Sequence, residues 1–469
     1  MLFFQYNLTT KQARKIKELV IRKIFFSIVI VILTMAIVLP EAFSASFKFS
    51  GAYRYRGVSY DNADQDHTSE DGNQKADMLF RPRFTATSEG GKVKAVWELD
   101  LGSSAWAAGK TAPKVNRHYV YFSLPGSKFR LQYGRDDYDT MDGVVVAPVP
   151  NRTQGWQISG KVSGMELIAW TTKISEGSAG GSAGPWGGST DADLFYVGLS
   201  KDVNSNLNLQ LGLVVESDNR GATTATPDRD IRWWSVNTST KFAGFDISAL
   251  YALQEGDLDY PTSSTTVSDI QIKAYMMDIQ AFTSVGKTGV TIRLFATSGD
   301  DSTLDASQTH GMTAQDDDNK LKRYTSPNSD GASDTDLPQL VNGRYVGIGI
   351  GSSIESATGA GSGGTVANGM KIFEIIVSHP ISKKLTFDVN ISSIHASSSA
   401  QDIRSGTQYV SDKNIGTEFD GALKYQIYKS LYAMIAYAYL KSGDYGKATN
   451  ATKDKDDIWG WFFEVKHTF

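Results

Sequence analysis

The chain has 469 residues, a formal net charge of −4, 44 glycines, 12 prolines, 11% aromatic residues and no cysteine. Without cysteine there are no disulfides and no thiolate metal sites, and no apolar run of helical membrane-spanning length follows residue 39, which excludes a helical membrane protein. One long β-sheet protein can use the whole length as a single domain.

In chain order, residues 1–44 read as a cleaved secretory signal. "ARKIKELVIRK" is a basic n-region, Ile24 to Leu39 an uncharged h-region, and "PEAFSA" an exit with Ala42 and Ser44 at the −3 and −1 positions. Cleavage removes six Lys/Arg and two Asp/Glu and takes the formal charge from −4 to −8. That balance excludes a nucleic-acid partner, which would require a basic face.

Strand patterns begin at once. "SFKFSGAYRYRGVSY" sets Phe47, Phe49, Gly51, Tyr53 and Tyr55 on one face against Lys48, Ser50, Ala52, Arg54 and Arg56 on the other. "LFRPRFTAT" opposes Phe80, Phe84 and Ala86 to Arg81, Arg83 and Thr85, with Pro82 breaking the pattern because it lacks a ladder donor. "VKAVWELDL" opposes Val93, Ala95, Trp97 and Leu99 to Lys94, Glu98 and Asp100, so one face reads as greasy and the other as charged. Further strands are expected near 115–124, 128–135, 154–162, 165–175, 192–202, 207–218, 230–241, 245–256, 270–284, 289–298, 369–380, 384–396, 416–427, 431–442 and 457–469. The total is eighteen, with sixteen as the alternative. Sustained helical periodicity occurs nowhere in the mature chain.

Short turns such as "PGSK" (125–128), "SG" (163–164) and "AG" (243–244) alternate with long polar stretches at 61–77, 175–191 and 299–368. An even number of strands with short turns at one end and long loops at the other predicts an all-β transmembrane antiparallel barrel over residues 45–469. Closure satisfies every lipid-facing backbone group. Eighteen strands also enclose more space than side chains fill, so the lumen is expected to hold water. The segment "GRYVGIGIGSS" (343–353) is strand-like within the long loop and has no assigned place.

Alternation assigns Lys48, Arg54, Arg56, Arg81, Arg83, Arg117, Arg130 and Lys161 to the lumen of the first six strands. Such groups bind carboxylate or phosphate, or brace the wall by pairing with Glu98, Asp100 and loop acids; both readings stand. The loop at about 136–153 carries Asp136, Asp137, Asp139 and Asp142 and then turns apolar in "VVVAPV". Apolar packing with a charged edge suits a loop folded into the barrel as a constriction. The six histidines have no ligand spacing, and neither cofactor nor metal is expected.

The stretches "VNRHYVYFSLPGSKFRLQYGRDDYDTMDG" and "GWQISGKVSGMELIAW" resemble bacterial outer-membrane porins, both general porins and alginate-export-type barrels. In these a strand pair ending in Tyr-Gly-Arg or Val-Gly-Arg leads into an inward-folded third loop. The resemblance runs from about Phe47 to Trp170. It implies that Arg135 and the acids Asp136 to Asp142 lie near the eyelet, opposite Arg54, Arg81, Arg83, Arg117 and Arg130. The expected function is passive diffusion of small hydrophilic solutes, with a bias to anions or acidic sugars. A surface adhesin or receptor is the alternative, and an outer-membrane enzyme using His67 or His310 a less favoured one.

The expected partners are outer-membrane lipid and lipopolysaccharide, the barrel assembly machinery and, as an open alternative to a monomer, further copies of the chain in a homotrimer. The last strand ends on Phe469 and is expected to close the sheet against the first. A terminal aromatic strand resembles the sorting signal that the assembly machinery reads.

Overall fold

The computed structural model describes residues 46–61, 73–105, 114–141, 153–175, 192–218, 228–259, 270–299, 320–321, 369–397, 400–401, 409–410, 413–444 and 457–469. The signal segment, Asp142, most of the 299–368 loop with its 343–353 segment, His67 and His310 lie outside the described residues.

Eighteen strands form the wall. They are β1 Ser46–Asp61, β2 Asn73–Thr87, β3 Val93–Ala105, β4 Lys114–Ser123, β5 Arg130–Asp136 and β6 Thr153–Val162. Next come β7 Met165–Ser175, β8 Ala192–Asn204, β9 Leu207–Asp218, β10 Asp228–Phe242, β11 Phe245–Asp259 and β12 Ile270–Val285. The last six are β13 Thr288–Thr297, β14 Met370–Pro380, β15 Leu385–Ala396, β16 Asn414–Tyr428, β17 Leu431–Ser442 and β18 Ile458–Thr468. Each pairs antiparallel with its neighbours in sequence, and β18 returns to β1 in the register Ala52↔Thr468 to Asp61↔Trp459. The expected all-β barrel of eighteen strands is therefore the observed one.

Turn chemistry sets the registers. At Ser163-Gly164 and Ala243-Gly244 both residues have positive φ, between 50° and 84°, the geometry of a two-residue turn whose twist matches the flanking strands. Pro82 is accommodated by the hydrogen-bonding phase. Gly51 exchanges both backbone bonds with Phe469, at 2.9 and 3.1 Å, so the pair Gly51↔Pro82 is a non-hydrogen-bonded one. The donor that proline lacks would face β3, where the ladder skips from Phe80↔Leu101 to Arg83↔Glu98.

The outward positions are large and apolar around the whole circumference. Phe195, Leu211, Trp234, Leu253, Phe373, Ile391, Phe419 and Trp461 are each more than a third exposed. On β18 Trp459, Trp461 and Phe463 point out while Phe462 and Glu464 are buried inward, as the alternation predicts.

The charged inner face read from the first strands continues around the barrel only in part. From β8 onward the inward positions mix buried apolar residues, among them Leu194, Ile231, Trp233, Met276, Ile372 and Ile394, with buried charged ones such as Glu216, Asp278, Arg293, Glu374 and Glu418. Alternation fixes which residues share a face, but the polarity of that face is set strand by strand.

Candidate functional site

The inner faces of β1–β5 hold a belt of paired charges. Arg56 lies opposite Asp77 in register, its Nε 3.1 Å from each carboxylate oxygen, with Arg54 Nη2 3.9 Å from the same group. Arg81 donates to both oxygens of Asp100, from Nε at 2.5 Å and Nη2 at 3.0 Å. Arg83 Nε donates to Glu98 Oε2 at 2.5 Å.

β4 carries a bulge, since Glu98 pairs with Arg117 but Leu99 with Val115. The extra residue is Asn116, whose Nδ2 donates to Glu98 Oε1 at 2.5 Å. Bulges re-aim side chains in this way. Arg117 stands 3.6 Å from Glu98 and 3.4 Å from Asp136 and donates through Nη2 to Asp137. Gln132 Nε2 donates to Asp136 Oδ2 at 2.9 Å.

Five guanidiniums thus meet five carboxylates: Arg54, Arg56, Arg81, Arg83 and Arg117 with Asp77, Glu98, Asp100, Asp136 and Asp137. They do not sit at equal depth. The Arg83 side chain is 36% exposed and that of Glu98 2%, while Arg81 is 28% exposed and Asp100 19%. At Arg81, Arg83 and Arg117 the cation is more exposed than the acids it pairs with, whereas Asp77 is more exposed than Arg56.

After β5 the chain turns inward and is held by three aromatic side chains. Tyr138 is fully buried and its hydroxyl donates to the Gly134 carbonyl at 2.6 Å. Trp170 Nε1 donates to the Asp139 carbonyl at 2.9 Å. The Tyr196 hydroxyl accepts the Met141 N–H at 2.9 Å. The rings form a staircase, 6.0 Å between Tyr138 and Trp170 and 5.4 Å between Trp170 and Tyr196. Tyr196 lies flat over Gly198, where an added Cβ would fall 2.1 Å from its hydroxyl. Glycine leaves the space that the ring fills.

Across β12–β16 lies a second polar group that is almost wholly buried. Arg293 donates to both oxygens of Asp278 at 2.8 and 2.7 Å and stands 3.6 Å from Glu374. Asn390 Nδ2 bridges to Ser392 at 2.8 Å and to Asp420 at 3.0 Å.

Of the residues expected at the pore, Arg54, Arg56, Arg81, Arg83, Arg117, Glu98, Asp100, Asp136 and Asp137 are brought together. Lys48, Arg130 and Lys161 keep the inward phase but are exposed nearer the short turns, opposite Thr85, Ser159 and Glu166. Asp139 enters the inward segment through its carbonyl, its side chain exposed. Arg135 pairs in register with His118 and Gln154, on the face opposite to Arg117 and Asp136.

Sequence reading missed Asp77, Asn116, Tyr138, Trp170, Tyr196 and the Arg293 group. The one sequence signal for the staircase is Tyr196 followed at the same-face position by Gly198. Among the described residues no group of three or more His, Asp or Glu side chains is placed to hold a metal ion.

A closed eighteen-stranded barrel with an apolar exterior, a charged inner wall and an inward-held segment after β5 has the architecture of a transmembrane β-barrel. No family model and no curated protein sequence matches the chain. Among solved structures it is similar to OccK8 (OprE) of Pseudomonas aeruginosa, with a TM-score of 0.53 and 12% identity over 90% of this chain and 98% of that one. It is also similar to OccK3 (OpdO) of the same organism, with a TM-score of 0.52 and 12% identity over 90% and 96%. OccK2 (OpdF), again from Pseudomonas aeruginosa, gives 0.51 and 11% over 90% and 98%. These structures share the fold of the chain across nearly its whole length.

Proposed function

We propose that the protein is an outer-membrane porin, a water-filled channel for passive diffusion of small hydrophilic solutes with a weak preference for anions, acidic sugars among them. The observation that carries this reading is the inward-held Asp137–Met141 segment beside the arginine belt inside a closed barrel. A segment placed there narrows the lumen next to charged groups, which is how channels select.

The preference for anions follows from depth. Arg81 and Arg83 face the lumen in front of their carboxylates, so a passing ion meets the cations first. The pairing keeps the preference weak, since most of each charge is balanced locally. The apolar belt is the lipid contact, and the aromatic end of β18 is the part that assembly machinery would read.

Planar-bilayer recording tests the proposal. Purified protein should give discrete conductance steps, and replacing Arg81 and Arg83 by glutamine should move the reversal potential in a salt gradient toward cations. A folded barrel that carries no current refutes a channel. An adhesin would instead lose ligand binding on deletion of its long loops with no current to record.

A further inference from the structure

We propose that the lumen wall of β8–β13 near the short turns carries a binding subsite for an uncharged polyhydroxylated solute of the carbohydrate class. The inference rests on the porin reading and extends it to a substrate class.

Inward side chains of five successive strands stand in one cross-strand row: Asp202↔Asn208, Asn208↔Ser239, Ser239↔Ser248 and Ser248↔Gln280. One step nearer the turns Phe282 pairs with Thr291. All of these line one cavity of about 370 Å³. Neighbouring strands lie about 4.8 Å apart, so the row offers a carboxylate at Asp202 and then a hydroxyl or amide group at each of the next four strands.

The chemistry differs from that of the arginine belt. Hydroxyl and amide groups both donate and accept, as the hydroxyls of a sugar require. Of the three formal charges in the cavity, Lys241 Nζ stands 3.4 Å from Asp246, and Asp202 keeps its negative charge while accepting from the Asn208 amide at 2.8 Å. Among the described residues the hydroxyls of Ser239, Ser248 and Thr291 make no hydrogen bond, so they are open to a solute.

Phe282 is 41% exposed on this inner face. It is the one aromatic ring in a lining whose other residues are polar apart from Leu207 and Ile247. An apolar platform flanked by donors and acceptors matches a sugar ring, which presents C–H groups on its face and hydroxyls on its rim. Anions gain little from such a wall, because its one cation, Lys241, is paired with Asp246 and its other polar groups are mostly neutral.

A channel subsite must bind weakly enough to release, so the readout is transient block. The full-length protein is recorded in planar bilayers with the neutral trisaccharide raffinose added to both sides, each block scored against the same variant's own open current. Concentration-dependent interruptions are expected. A neutral polyethylene glycol of similar size should lower the current without discrete interruptions. Phe282→Ala and the double substitution Ser239→Ala with Ser248→Ala should each weaken block at least fivefold, and Phe282→Trp should retain it.

An open current that raffinose does not interrupt overturns the subsite and leaves the porin reading standing. So does block of wild-type strength in both weakening variants. If no variant carries current at all, the porin reading falls and the subsite with it.

Discussion

Glu98 is the group whose loss tells most about the inner wall. It is 2% exposed and accepts from Arg83 and Asn116 at 2.5 Å each, with Arg81 and Arg117 within 3.8 and 3.6 Å. Glu98→Gln keeps the volume and removes one negative charge from behind three cations. Removing one partner of a buried pair costs about 3–5 kcal/mol. The lower end, about 3 kcal/mol, applies because Arg81 and Arg83 reach water.

The electrostatic effect is calculable. An ion that meets the exposed head of Arg83 passes about 5 Å from the Glu98 carboxylate, one hydrogen bond and one guanidinium away. At that distance a unit charge is worth about 0.8 kcal/mol in water and about 3 kcal/mol at an effective dielectric constant of 20. Taking the aqueous value, anion and cation permeabilities shift about fourfold each in opposite directions, so their ratio should rise about sixteenfold. The assay is the reversal potential in a tenfold potassium chloride gradient, with denaturant unfolding of the same preparation as the stability readout. A variant that folds, conducts and keeps the wild-type reversal potential would show that the belt does not border the conducting path.

Two further outcomes are expected. Tyr196→Phe keeps the ring over Gly198 but removes the acceptor for the Met141 N–H, a loss of about 1 kcal/mol. The inward segment should then fluctuate more, read as increased open-channel current noise, and unchanged noise would count against the aromatic latch. Gly51→Val places a Cβ 2.4 Å from the Arg81 carbonyl and 2.8 Å from the Phe469 ring. It should lower the yield of folded barrel, as should deletion of Phe469, while barrels that do assemble without Phe469 keep wild-type conductance. Normal yield in both would refute the role of this contact in closure.

The parts of the fold that were legible are those written locally. Period-two alternation in β1, β2 and β18 placed Arg54, Arg81, Phe462 and Trp461 on their correct faces, because each strand carries its own record of inside and outside. The short turns were legible for a similar reason, since a serine or alanine before glycine marks a two-residue reversal.

What escaped depends on which strands are neighbours and in what register. Asp77 becomes the partner of Arg56 only once β1 and β2 are aligned. Asn116 reaches Glu98 only because β4 bulges there. The contacts of Tyr196 with Met141 and of Arg293 with Asp278 join residues 55 and 15 positions apart, and no single segment encodes either. Arg135 was drawn toward the lumen by its motif, whereas the phase of β5 pairs it with His118. The polarity of the inner face beyond β7 was likewise unreadable from the first strands.

The seam has a consequence for the order of events in biogenesis. In the closed barrel the backbone of Phe469 is tied to Gly51, and its ring lies 5.4 Å from Phe49 and 6.0 Å from Phe80. A chaperone or insertase that grips this terminal ring competes with those side chains for the same faces. Completion of the cylinder therefore covers faces of the terminal ring that the unclosed sheet leaves open, and any factor bound to that ring would have to give it up as the seam forms.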